Sequence, residues 1–204
     1  MAVEANIGVG AGAGVGERAT REARRPTGYR LVSKPTGEEF AFVASARSAA
    51  DKTFRFVWTL GPGKKGPGEH HHDAETEVFE IVSGTVRIWS DGVARDYGPG
   101  EVCVVAPGVR HRFLNPGPEP VMIDVSLDGP RMEDALVPVA VATAGREAGP
   151  RDLLRVVAGL DAWPSVPASA VGRAVIGATA RLLRALGFAP YPPALGWDTP
   201  APAP

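Results

Sequence analysis

Cysteine is almost missing from this chain. Cys103 stands alone among 204 residues, so no intrachain disulfide can form, and the reading is a reducing, cytoplasmic compartment. Net charge is nearly missing too: 22 Lys and Arg face 23 Asp and Glu, leaving −1. Such a balance sets up no long-range attraction, so neither nucleic acid nor a membrane is expected as a partner. No apolar run approaches the roughly 18 residues of a spanning helix. The start "MAVEANIGVG" lacks a basic leader, with Glu4 where a secretory signal carries positive charge, and it is not read as one. The length and a 44% hydrophobic content suit one core with a modest extension rather than two large domains.

Glycine and proline, by contrast, are plentiful at 25 and 20, which favours short strands, many turns and loose ends. Residues 1–27 alternate glycine with small residues and then run into "ERATREARR"; they read as a disordered tail, with a short helix over 17–25 as an option. Residues 28–130 hold β-type runs, among them "EFAFVAS", "FRFVWTL", "EVFEIV", "TVRIW", "EVCVVA", "HRFL" and "VMIDVSL". Turn signals such as "GPGKKGPG", "SDG", "YGPG" and "NPGPEP" separate them, which predicts an antiparallel sandwich or barrel. Residues 131–204 form a helical extension with a proline-rich tail. Within it "PRDLLRVVAGL" and "AVGRAVIGATARLLRALGF" have helical spacing, the second with a stripe of Val171, Val175, Ala178, Leu182 and Leu186. That stripe is expected to pack on the barrel or on a partner chain, with a lid over the barrel mouth or a membrane-surface helix as alternatives.

Chemistry concentrates in "GEHHHDAETEVFE". Residues two apart in a strand share a face, so His70 and His72 point one way and His71 the other. A hairpin can bring Glu77 beside the pair. The remaining histidine, His111, follows the turn "APG", and if its strand lies opposite, three imidazoles and a carboxylate converge. Imidazole with carboxylate suits zinc, iron, manganese, nickel or copper rather than calcium or magnesium. A surface cluster is the plainer reading of the same residues. Asp73, Glu75 and Glu80 read as loop or outer-face charges, with a hydrogen bond to an imidazole as the other option for Glu75. Cys103 reads as a buried small hydrophobe. Arg55, Arg87, Arg112 and Tyr97 are candidates to bind an anionic substrate, though residues of each type stand more often at the surface. Phe79, Ile81, Phe113 and Met122 are expected to line or close the barrel.

The spacing of these residues resembles the two motifs of the cupin superfamily. His70, His72, Glu77 and Gly84 match His-x-His, four residues, Glu, six residues, Gly. Gly100, Gly108, His111 and Asn115 match the second motif, in which Ala106 replaces a proline and Pro107 follows it. The glycine that opens the first motif falls at Lys64, with Gly63 and Gly66 on either side. The resemblance implies a single cupin barrel, a double-stranded β-helix or jelly roll, mainly β with the helical extension appended. It implies His70, His72, Glu77 and His111 as ligands of one divalent transition metal, iron first, with zinc, manganese and nickel as alternatives. The function implied is a metal-dependent oxygenase acting on a small organic substrate, with Glu77 also able to act as a base. A non-redox isomerase or polyketide-type cyclase and a non-catalytic small-molecule-binding cupin are the alternatives. A homodimer is expected by the same resemblance.

Overall fold

The computed structural model describes residues 29–33, 38–143, 146, 149–162, 165–167, 169–192, 194 and 197–198. The expected tail at 1–27, its optional helix and most of the proline-rich end lie outside the described residues. The strands are β1 (Arg30–Ser33), β2 (Glu38–Ala44), β3 (Thr53–Leu60), β4 (His70–His72), β5 (Glu77–Ser83), β6 (Val86–Ser90), β7 (Val93–Tyr97), β8 (Val102–Val105), β9 (His111–Leu114) and β10 (Val121–Asp128). The extension then adds α1 (Arg131–Thr143), α2 (Pro150–Gly159), a 3-10 turn at Leu160–Ala162, β11 (Ser165–Pro167) and α3 (Ala170–Ala185).

Alternation built these strands. In β3 the side chains of Phe54, Phe56, Trp58 and Leu60 are buried while Arg55, Val57 and Thr59 are half-buried, as a period of two requires. Its partner β10 lies between β3 and β5, and Val121, Ile123, Val125 and Leu127 are all fully buried. Two antiparallel sheets result, ordered β1-β2-β3-β10-β5-β8 and β11-β4-β9-β6-β7. Their inner faces enclose one core, the arrangement of a jelly-roll barrel. Two glycines permit it. Gly84 turns β5 into β6 at φ +78°, and a Cβ there would lie 3.1 Å from the Val121 backbone. Gly66 lets the loop before β4 cross Phe113, whose ring would stand 2.4 Å from an added Cβ. The close approach in the first-motif loop therefore belongs to Gly66, not to the Lys64 position.

Some elements were not foreseen. β7, "VARDY", has no buried alternate face; it is held as an edge by pairing with β6 and by the exposed Arg87–Asp96 pair at 2.6 Å. The helix α1 hides behind Pro138 and a β-branched run, Val137, Val139 and Val141, which reads as strand. Burial overrides that local preference: Met132, Leu136, Val137 and Ala140 join the barrel core. Glu133 fastens the same helix. It is 1% exposed and accepts hydrogen bonds from Ser45 Oγ at 2.6 Å, Ala46 N at 2.9 Å and Trp197 Nε1 at 2.7 Å. Trp197 in turn stands edge-on to Phe42 and Phe54.

The expected apolar stripe of α3 does not pack on the barrel. Val171, Val175, Leu182 and Leu186 are 74%, 58%, 60% and 65% exposed. The helix seats instead through Ala180, fully buried, and through Arg184, which donates to Ala158 O and forms a two-bond pair with Asp161. Periodicity reveals that a stripe exists; it does not say which side a small residue and an arginine will dock. Replacing Glu133 with Ala leaves three buried donors without their acceptor, and a loss of about 2–5 kcal/mol in urea unfolding is expected. A red-shifted Trp fluorescence should accompany it, since the Trp197 indole loses its anchor.

Candidate metal centre

Parity places the histidines. In β4, His70 and His72 are buried and His71 is half-buried, its Nε2 turned to Asp73 Oδ1 at 3.1 Å. His70 is the register partner of His111, the first residue of β9. Glu77 opens β5 in the opposite sheet and pairs with Leu127 and Val105. Three imidazoles from one sheet thus meet a carboxylate from the other. The available ligand atoms of His70, His72, Glu77 and His111 all lie within 4.8 Å of one another, and all four residues are buried. The turn of the second motif is tied in by Gly108 N, which donates to His72 O at 2.7 Å. Asn115 has no place in the cluster. Its Nδ2 sits within 3.1 Å of the carbonyls of Leu60, Gly61 and Glu119, and its Oδ1 accepts from Gly117 N, so it shapes the turn.

The ring orientations carry the chemical information. His70 Nδ1 lies 2.8 Å from Gly68 O and His111 Nδ1 lies 3.1 Å from Val109 O. A carbonyl can only accept, so both rings carry their proton on Nδ1, and the Nε2 lone pairs are left for the cluster. His111 Nε2 then lies 2.8 Å from Glu77 Oε2, buried and in no hydrogen bond of acceptable angle. Two acceptors at that distance repel unless a positive charge stands between them. A shared proton or a metal ion supplies that charge, and His72 Nε2 reaches the same oxygen at 3.2 Å. The donor set of three imidazoles and one carboxylate fits a divalent transition metal.

Electrostatics agree with a ligand state. Burial, reinforced by His111, pushes the His70 pKa down to about 4, so the ring stays neutral. Burial alone would raise Glu77, but the contacts with His111 and His72 outweigh it and hold the carboxyl well below its usual range. Below the cluster the wall is aromatic. The Phe79 ring centroid is 6.1 Å from His111, and Phe113 stands edge-on to both Phe79 and Trp58.

Other candidates separate cleanly. Phe79, Ile81 and Phe113 line the interior as expected, whereas Met122 points outward, 39% exposed, because its neighbours Val121 and Ile123 take the inner positions of β10. Arg55 pairs with Asp51, Arg87 with Asp96, and Arg112 lies 3.8 Å over the Trp89 ring, all on the outside. Tyr97 packs under Arg95. Cys103 is buried, and burial raises its thiol pKa, as befits a small hydrophobe. Glu75 departs from the expected loop charge. It is 2% exposed, and its Oε1 accepts from Arg131 N at 3.2 Å, at the start of α1. Burial raises its pKa. No local signal marks it, because the helix it meets begins 56 residues later and is itself masked by Pro138.

Comparison with known proteins follows the geometry. Residues 56–127 match the family model of the cupin domain. Quercetin 2,3-dioxygenase of Bacillus subtilis is 28% identical over 42% of this chain and 25% of its own length. A probable oxidoreductase, patJ, of Penicillium expansum is 38% identical over 47% of this chain and 32% of its own. The chain thus spans about a quarter to a third of the length of these curated relatives. The solved structure of a predicted oxalate decarboxylase from Thermotoga maritima is 23% identical, covering 52% of this chain and 96% of its own at a TM-score of 0.45.

Acid should loosen the metal-free protein, and the sign is fixed by direction. The folded His70 pKa lies below its ordinary value of 6.5, so the unfolded chain takes up the proton first as pH falls. Stability present above pH 6.5 is lost between there and about 4. Glu77, held below its ordinary 4.5, extends the loss further down. Unfolding free energy of the metal-free chain should fall by up to about 1.4 kcal/mol per pH unit in the upper window, and His70→Asn should flatten that slope. A slope unchanged in the variant would remove His70 as its source. The barrel, the motif spacing and the family match identify residues 56–127 as a cupin domain.

Proposed function

We propose that this cupin holds one divalent transition metal, iron, on His70, His72, Glu77 and His111, and acts as an oxygenase on a small organic substrate. One observation carries the reading: three Nε2-directed imidazoles and a carboxylate converge in a buried, aromatic-walled interior. The dioxygenase and oxidoreductase names of the curated relatives support the redox direction. When bound, a redox-active metal supplies adjoining positions where an organic substrate and oxygen can exchange electrons. The chain's own residues do the rest. Gly68 O and Val109 O fix the two rings by accepting their Nδ1 protons, which holds the ligand set in shape. Phe79, Phe113, Ile81 and Trp58 exclude water and strengthen electrostatic contacts inside. Glu77 is the one carboxylate in the cluster, and it is the group we assign to accept a proton from an enolic or acidic hydroxyl of the substrate.

The barrel and its helical extension are proposed to act as one cytoplasmic unit, assembled as a homodimer. Light scattering at tens of micromolar should return twice the chain mass.

The deciding experiment is metal analysis of protein purified without chelators, followed by oxygen uptake with enolic and aromatic substrates. About one iron per chain is expected, with uptake that ceases after chelation. His111→Ala should lose the metal at least tenfold more readily, because one of the four ligands is gone. Full zinc occupancy with no oxygen uptake would turn the reading toward the isomerase or cyclase alternative. Full metal in the His111→Ala variant would sink the ligand assignment.

A further inference from the structure

A second concavity lies away from the barrel interior. The helices α1, α2 and α3 and the segment at Pro190 and Tyr191 enclose a cleft of about 210 Å³. Its charged lining is unbalanced once the internal pairs are removed. Asp161 is taken by Arg184 through two bonds at 2.8 Å, and Asp134 by Arg47 at 2.8 Å. Arg155 remains, with no carboxylate partner among the described residues, and so does Arg131, whose neighbouring carboxylate, Glu75, is engaged by the Arg131 backbone N at 3.2 Å rather than by its guanidinium. Arg155 is held in place: its Nε donates to Ala189 O at 2.8 Å and its guanidinium lies 3.7 Å over the Tyr191 ring. Both bonds leave its terminal nitrogens available. Arg131 is the first residue of α1, where the helix dipole disfavours a cation, so its charge does nothing for the helix. Between the two arginines the wall is apolar, made by Ala135, Val139, Val156 and Pro190.

We propose that this cleft binds a small organic carboxylate, its anionic head on Arg131 and Arg155 and its apolar body against Val139 and Val156. Two cations facing one cleft repel, and an anion between them relieves that repulsion. A guanidinium fixed by stacking has little rotamer freedom left to lose on binding and presents a planar fork that matches a carboxylate. The apolar wall distinguishes this class from inorganic phosphate or sulfate, which would leave that surface wet. The volume falls below the roughly 300–1,000 Å³ of sites for drug-sized ligands, so the occupant is a small acid with a short or single-ring body.

Calorimetric titration of the full chain with sodium benzoate, sodium hexanoate, benzyl alcohol and sodium sulfate tests it. Saturable binding of one carboxylate per chain is expected, with a rise in melting temperature. Benzyl alcohol and sulfate should each bind at least tenfold more weakly, since each lacks half of the recognition. Arg131→Ala and Arg155→Ala should each weaken the carboxylate by about tenfold or more. Arg131 is exposed at the head of its helix, so that variant keeps the test valid where Arg155→Ala disturbs the packing on Tyr191. His111→Ala must retain the binding; its loss there would place the ligand in the metal centre and overturn the proposal. Binding unchanged in both arginine variants, equal binding of sulfate, or no saturable binding of either carboxylate would overturn it as well.

Discussion

Three imidazoles and a carboxylate sit where a barrel of this size would otherwise hold only hydrocarbon. Burying such groups costs several kcal/mol unless each polar atom finds a partner. The surrounding structure serves that constraint. Backbone carbonyls of Gly68 and Val109 take the outer ring protons, Gly108 N ties the turn to His72 O, and Gly66 lets its loop pass over the Phe113 ring. At the centre, His111 Nε2 is left without a hydrogen bond although Glu77 Oε2, which contacts His72 Nε2 at 3.2 Å, lies only 2.8 Å away. The scaffold is complete up to the point where a cation is required.

The extension is built into this end of the barrel rather than appended to it. Glu77 and Leu127 are register partners, and β10 ends one residue later, so α1 starts at the level of the cluster. Glu75, two residues before Glu77, reaches Arg131 N at the head of that helix. From the other side, β11 pairs with β4 along its whole length, Ser165 to His72 and Pro167 to His70. The ligand strand therefore has β9 on one edge, through the single pair His70 and His111, and a strand of the extension on the other. Metal geometry and helix packing are mechanically joined.

The sequence makes the barrel and its cluster legible for a physical reason. Strand parity and motif spacing are local, and both survive folding unchanged: Phe54 to Leu60 alternate as written, and His71 turns away from its two neighbours. Long-range satisfaction is not local. Glu133 looks like an ordinary acid in the first turn of a helix, yet its meaning lies in Ser45 and Trp197, 88 and 64 residues away. Glu75 looks like a loop charge until the helix it meets exists. The stripe on α3 is the sharpest case, because its periodicity is genuine but it faces away from the barrel, toward the side where a partner chain is the other expectation. Ala180 and the Arg184–Asp161 pair decided the seating, and neither is apolar surface of the kind a pattern weighs.

Fold and ligand set together still leave the reaction open, since one metal-binding barrel can serve redox and Lewis-acid chemistry alike. Selectivity has to come from what surrounds the cluster. Here the surroundings are Phe79, Phe113, Trp58 and Ile81, with Arg55, Arg87 and Arg112 all committed outside. A substrate in this interior meets no arginine among the named candidates, so the metal-binding cluster and aromatic faces must supply its recognition. Arg131 and Arg155 line instead the helical cleft, outside the barrel, where an apolar wall accompanies them. If both proposals hold, charge recognition and metal chemistry lie on two surfaces of one chain, joined through α1.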